Sequence, residues 1–304
     1  MASLIARFVV FDFCIHIATV ASIYALIALA LNIQAGYAGL LNLGLIAFAG
    51  IGAYAVGLAH AAGVNPVLGV ALGCVVASLL GFLMSRLGRN LGADYWGIAT
   101  LAIAEILRTV AINENWLTGG AQGLSGIPGL FSNIARPWDR AAFLAAVIGA
   151  VIVAALLSRR LAAGRFGRAL RLMREEPALA TSLGYDLVSL KSKATMVSAV
   201  LASVGGSFLG FYMSYVGPDF MLASETFLIW TMVMIGGLGN VSGVLVGAII
   251  VQAIYSAVPF AKDYLGIGSD VAGAVRLGLI GCLLLACLLW RTEGLLPERV
   301  RRIQ

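Results

Sequence analysis

Nine apolar runs dominate this chain, near residues 13–33, 40–62, 66–84, 95–112, 140–157, 194–216, 225–236, 243–259 and 271–290. A helix needs about 20 mostly apolar residues to cross a bilayer, and most of the runs approach that length. The composition agrees, since 61% of the 304 residues are hydrophobic and 11% are charged. A domain that faces water carries about 25% charged residues, so lipid is the solvent for most of this protein. The predicted fold is all-α: a polytopic transmembrane helix bundle of about 8–10 spanning or re-entrant helices. Residues 1–304 form a single membrane domain with no soluble domain between the runs. The 37 glycines suit helices that pack closely in lipid, where small residues line the contacts.

Asp12 interrupts the first run, which is far longer than a signal-peptide core of about 7–15 residues, so it reads as a retained first helix. Cys14, Cys74, Cys282 and Cys287 all lie in apolar runs and are expected to be buried small hydrophobes.

The net charge of +6 is unevenly spread. Residues 159–193 hold eight Lys/Arg against three Asp/Glu, and the stretch from Arg291 holds four Arg against two Glu. Basic loops stay on the cytoplasmic side. The loop 159–193 and the C-terminal stretch are therefore expected inside, and the Gly- and Pro-containing stretch 113–139, poor in basic residues, outside. Four runs separate the two basic segments, which returns the chain to its starting side, and the loop with Arg86 and Arg89 also falls inside. The same count puts Arg7 outside. A re-entrant segment would alter that parity, so orientation is assigned only from residue 85 onward. Topology accounts for the basic charge without nucleic acid.

Reactive centres and energy sources are missing from the pattern. There is no GxxxxGK[ST] phosphate loop, and no metal-ligand cluster, because His16 and His60 stand alone. Gly123-Leu-Ser-Gly126 matches the GxSG form of intramembrane serine proteases, whose serine needs a histidine base. Both histidines precede Ser125, the reverse of that family's order, and Ser125 is expected to be an ordinary loop residue.

Charge at membrane depth is costly and marks either internal pairing or a polar path. Asp12, Glu105 and Arg108 are such residues, and Glu105 and Arg108 are three apart on one helix and can pair. Two Gly/Asn-rich breaks resemble each other, Gly36-Tyr-Ala-Gly-Leu-Leu-Asn-Leu-Gly44 and Gly236-Gly-Leu-Gly-Asn-Val-Ser-Gly243. Transporters often carry internal repeats whose interrupted helices meet near the midplane, and unwound backbone there must be buried in protein or line a cavity. Asn32, Gln34, Asn42, Asn240 and Ser242 at the breaks, with Glu105, are the translocation-path candidates. Gly239, Gly243 and Gly247, like Gly206 and Gly210, repeat every four residues and are expected to serve close packing.

The segment 164–186 is the most informative. Pro177 suits the first position of a helix, Glu175 and Glu176 suit its positive end, and Gly184 suits its stop. They delimit a short helix in the basic loop with Ala178, Leu179, Leu183 and Tyr185 on its surface. Such a rigidly capped, small-residue helix fits a docking plug for a soluble partner better than a lipid-headgroup site.

Four motifs occur in an order that resembles the branched-chain amino acid ABC transporter permease family, LivM type more than LivH. They are Gly36–Gly44 with Gly50-Ile-Gly-Ala-Tyr54; Tyr95–Arg108 with Thr118–Pro128; Gly167-Arg-Ala-Leu-Arg171 with Arg174-Glu-Glu176 and Leu183-Gly184; and Ile235–Asn240 with Gly243. The resemblance implies a multi-pass subunit of a bacterial inner-membrane importer. It would be set in lipid beside a second related permease, two cytoplasmic ATPases and an extracytoplasmic substrate-binding protein. ATP and Mg would be bound by those partners, with no cofactor and no catalysis in this chain. Gly167, Arg168, Arg171, Arg174, Glu175, Glu176, Pro177, Ala178, Leu179, Leu183 and Gly184 match the segment that couples such permeases to the ATPase. Two departures are visible. Asn42-Leu-Gly-Leu45 stands where the family often has Ser-Leu-Gly-His, and Glu175-Glu176 where it favours Glu-Asp. The first removes a polar residue near the path, and the second keeps the coupling charge. The alternatives are a urea or short-amide importer on the same scaffold, and an ion-coupled carrier using Asp12 and Glu105.

Overall fold

A computed structural model describes residues 2–89, 91–132, 138–265, 269–291 and 293–298. In chain order the helices are α1 (Ala2–Leu31), α2 (Ile46–Ala61), α3 (Pro66–Leu87), α4 (Ala93–Asn113), α5 (Asn115–Thr118), α6 (Trp138–Ala163), α7 (Arg165–Glu175), α8 (Pro177–Ser182), α9 (Leu187–Met213), α10 (Ala223–Gly236), α11 (Val241–Leu265) and α12 (Ser269–Trp290). All nine apolar runs form helices. Among the described residues seven helical segments are long and apolar enough to cross a membrane, while α2 and α10 are shorter. Among the described residues the only strands are Leu124–Ser125 and Tyr215–Val216, paired antiparallel.

Local chemistry sets several helix starts. Asn65 caps α3 by accepting from the Val67 amide at 3.0 Å, with Pro66 in the first turn. Asp186 accepts from Val188 at 3.0 Å to start α9. Asn240 Oδ1 accepts from the Ser242 amide at 3.0 Å and from Gly243 at 3.3 Å to start α11. Each replaces a partner that the first amides of a helix lack.

The core is built from α1, α2, α9, α10 and α11, while α3, α4 and α12 turn long apolar faces outward. Close approach rests on glycine. A Cβ at Gly52 would meet the Ser203 carbonyl, one at Gly206 the Ala49 carbonyl, and one at Gly69 the Ala55 carbonyl, so α2, α3 and α9 touch backbone to backbone. Gly243 and Gly247 likewise seat α11 on the backbone of α10, as their spacing predicts. The cysteine expectation holds only for Cys287; Cys14 and Cys282 are exposed. In a bilayer a small thiol can face lipid as comfortably as a core.

The two ends of the bundle are distinct. Asp12 Oδ2 pairs with Arg140 Nη1 at 3.0 Å at the head of α6, beside residues 129–132 and an open cavity of about 690 Å³. The π-helical turn that follows α1, Asn32–Tyr37, instead contacts α7 in the basic loop. From Trp138 to Ala163, α6 joins the two ends over 26 residues, about 39 Å at 1.5 Å per residue. The start of α1 thus shares an end with the loop 113–132, which the parity of the runs left open. The Arg7 side chain, residues 133–137 of that loop, and Arg299, Arg301 and Arg302 lie outside the described residues.

Candidate functional site

The first break is a π-helical turn, Asn32–Tyr37, followed by irregular chain up to Ile46. The second is a turn between α10 and α11 in which Gly237 has φ 115° and Gly239 φ 79°, backbone that residues with a Cβ rarely adopt. The breaks meet: Asn32 Oδ1 accepts from the Gly239 amide at 2.8 Å, and Gly36 leaves room for the Gly239 backbone. They meet at the basic end of the bundle rather than at its midplane. Arg159 Nη2 donates to Ser242 Oγ at 2.8 Å, and Arg174 Nη1 donates to the Gly36 carbonyl.

Of the path candidates, Asn32, Gln34 and Asn42 are fully enclosed. Gln34 Nε2 donates to Ser198 Oγ at 2.8 Å, and Ser198 donates to the Ala30 carbonyl at 2.7 Å. Asn42 Nδ2 donates to Gln34 Oε1 at 2.9 Å, its Oδ1 accepts from the Gly44 amide, and its carbonyl accepts from Trp230 Nε1 at 2.9 Å. In this conformation the Gln34 and Asn42 side chains are spent on one another and on their neighbours, while Asn32 Nδ2 is buried with no partner among the described residues, so the network is a closed joint between helices. Asn240 caps α11 and donates to the Pro297 carbonyl at 3.2 Å.

Glu105 stands apart. It pairs with Arg108 at 2.7 Å on the outward side of α4, with the glutamate side chain 52% exposed. Among the described residues the pair is only half packed, since the Arg108 side chain is 23% exposed while Glu105 faces out. Thr109 and Asn113, at four-residue spacing from Glu105, are exposed too. This polar stripe runs from the middle of α4 to its outer end.

The 159–193 segment holds two helices where the Pro177–Gly184 signals predict one. In α7, apolar residues at 166, 169, 170 and 173 follow an i, i+3, i+4, i+7 pattern, and Ala169, Leu170 and Met173 are buried. That amphipathic signal is legible in the sequence and was obscured by the arginines between. Gly167 packs against the Leu161 and Ala162 carbonyls. Pro177 opens α8, and Gly184 ends it at φ 82°. The Gly184 amide bonds the Thr181 carbonyl and the Tyr185 amide bonds the Ala180 carbonyl, both at 3.0 Å, the paired closure of a Schellman turn. Ala178, Leu179, Leu183 and Tyr185 are exposed around the buried Ala180, as expected. Glu176 makes no side-chain cap, and Glu175 pairs with Arg174 at 2.9 Å.

Among the coupling candidates, Arg168, Glu175, Glu176, Pro177, Ala178, Leu179, Leu183 and Gly184 face outward. Arg171 and Arg174 face inward. Arg171 Nε donates to Glu298 Oε1 at 2.6 Å and its guanidinium lies 5.2 Å from the centre of the Tyr37 ring; Arg174 Nη2 donates to Glu298 Oε2 at 3.0 Å. Burial opposes the Arg174 charge, but hydrogen bonds to Glu175 and Glu298 outweigh it and raise its pKa above the usual arginine value.

Sequence reasoning missed Glu298, and also a polar cluster in which Tyr24 Oη donates to Glu225 Oε2 at 2.5 Å while Arg276 lies 4.6 Å from the centre of the Tyr255 ring. A lone carboxylate opening an apolar run was the available signal for Glu225. The protease constellation does not form among the described residues: Ser125 pairs with Tyr215 in the short sheet, and His16 Nδ1 is 2.6 Å from Tyr212 Oη.

A polytopic bundle with broken helices joined at one end, and a capped helix standing out from that end, is the architecture of a membrane permease. The family described as branched-chain amino acid transport system / permease component matches residues 13–288, and the chain belongs to it. The chain is 30% identical to the high-affinity branched-chain amino acid transport system permease protein LivM of Escherichia coli (strain K12), over 93% of its own length and 70% of the relative's. It is 27% identical to the probable LivM permease protein of Methanocaldococcus jannaschii, with 91% of each chain covered. The probable LivH permease protein of the same organism is 27% identical over 70% of each. The family therefore includes two related kinds of permease. No solved structure matches the chain. The protein is a multi-pass inner-membrane permease subunit of an ABC transporter.

Proposed function

We propose that this permease carries branched-chain or related amino acids inward, paired with a second permease, powered by two cytoplasmic ATPases and supplied by an extracytoplasmic binding protein. The relatives' names support the solute class; with no nucleotide loop in this sequence, ATP and Mg would be bound by the ATPases, and this chain would supply neither a cofactor site nor a catalytic residue. Residues 1–304 act as one domain. One observation carries the reading: α8 is a short helix fixed by Pro177 and Gly184 whose exposed face is small and apolar. Glu175 and Glu176 directly precede that face, Arg168 is exposed on α7, and Gly167 seats α7 against the end of α6. ATP-driven closure of the ATPases would push α8, and α7 would pass the motion to the joined breaks. Solute would move along the polar stripe of Glu105, Thr109 and Asn113 facing the second permease, since lipid is a poor neighbour for an ion pair.

Ala178→Arg tests the docking face. A charge forced into a protein cleft is desolvated at a cost of several kcal/mol, so the variant should insert normally while the ATPases no longer co-purify and solute-stimulated ATP hydrolysis is lost. Wild-type retention of both would remove α8 from coupling.

A further inference from the structure

Residues 293–298 form a strap across the α10–α11 break. The Leu295 amide donates to the Ile235 carbonyl at 2.8 Å and Leu296 to the Gly236 carbonyl at 3.1 Å, while Asn240 Nδ2 holds the Pro297 carbonyl. Gly237 and Gly239 make this possible, because a Cβ on either would strike the strap at Leu296 or Glu298. At its end Glu298 is only 13% exposed and meets both Arg171 and Arg174 of α7. Arg174 also bonds the Gly36 carbonyl in the first break, and Gly39 packs on its side chain. Glu298 thus ties α7 to the strap over the second break, while Arg174 itself ties α7 to the first.

We propose that Glu298 is a positioning residue for transport: it clamps the strap to Arg171 and Arg174, so that displacement of α7 moves the two breaks together. The proposal rests on reading 159–193 as the ATPase-facing loop. It adds a second line of transmission, through the strap, to the direct contact of α7 with the π-helical turn. With the clamp intact, α7 cannot shift without dragging the α10–α11 turn and, through Asn32 and Gly239, the foot of α1. With it cut, the ATPases can still dock on α8 and hydrolyse ATP, but less of that motion reaches the helices.

The experiment uses the intact complex in proteoliposomes, with radiolabelled leucine and the binding protein, and reads leucine imported per ATP hydrolysed. That ratio does not depend on how much complex assembles. Glu298→Gln should lower it about tenfold, the scale of one lost hydrogen bond between charged groups, with the ATPases still co-purifying. Glu298→Asp should recover most of it, and Arg171→Gln combined with Glu298→Gln should be no worse than the poorer single variant. An unchanged ratio in Glu298→Gln, or import and hydrolysis falling in proportion, overturns the clamp. Failure of the docking reading is separate, because it would show as unimpaired ATPase binding in Ala178→Arg.

Discussion

At Gly52 an added methyl group would strike the Ser203 carbonyl, whereas at Gly278 it would find nothing within 4 Å. The two glycines are alike in composition and opposite in consequence. Gly52→Ala must push α2 and α9 apart, an overpacking cost of about 1–3 kcal/mol, and should lower the thermal unfolding midpoint in detergent. Gly278→Ala sits on an open face of α12 and should stay within about 1 kcal/mol of the parent, since alanine is the better helix former. Equal midpoints for the two would refute the backbone contact. The polar residues at this scale divide similarly. Asn32 and Asn42 look like path residues in the sequence because they flank broken helices, yet each is tied to a residue far along the chain, Asn32 through its side-chain oxygen to the Gly239 amide and Asn42 through its main-chain carbonyl to Trp230. Glu105 and Arg108 were legible as a pair from their spacing, but nothing local says that the pair faces out of the bundle.

Among the elements, α8 is the one best written into its own sequence. Its start, its stop and its exposed face all follow from residues within a turn of each other. Gly184→Val tests the stop. No side chain or backbone crowds that position, so any cost comes from holding a β-branched residue at φ 82°, about 1–3 kcal/mol. The expected result is faster proteolysis within 177–186 and weaker ATPase co-purification, with the permease still inserted. Unchanged proteolysis would mean that the αL closure does not hold α8. α7 was harder to read, because arginine dominates its composition. Its partners Tyr37 and Glu298 lie more than a hundred residues away, one on each side of it in the sequence, and only the fold brings them to Arg171.

For the whole molecule, the basic loop and the 113–132 stretch occupy opposite ends of the bundle. Ser182 and Gln122, both exposed, should therefore be labelled from opposite faces when each is the sole cysteine of the chain. Labelling of both from one face would refute their placement at opposite ends. The apolar runs and the separation of the basic loop from the 113–132 stretch were readable because hydropathy and basic charge are local properties of the sequence. Which face of each helix meets protein was not, because lipid and a protein core are equally apolar and hydropathy cannot tell them apart. Small residues and single polar groups decide that question through partners distant in the chain. The spans, the basic side and the capped helix therefore belong to the sequence. The meeting of the two breaks, the closed Gln34–Asn42 network, the outward Glu105 and the Glu298 clamp were decided only when glycine-lined backbones came into contact.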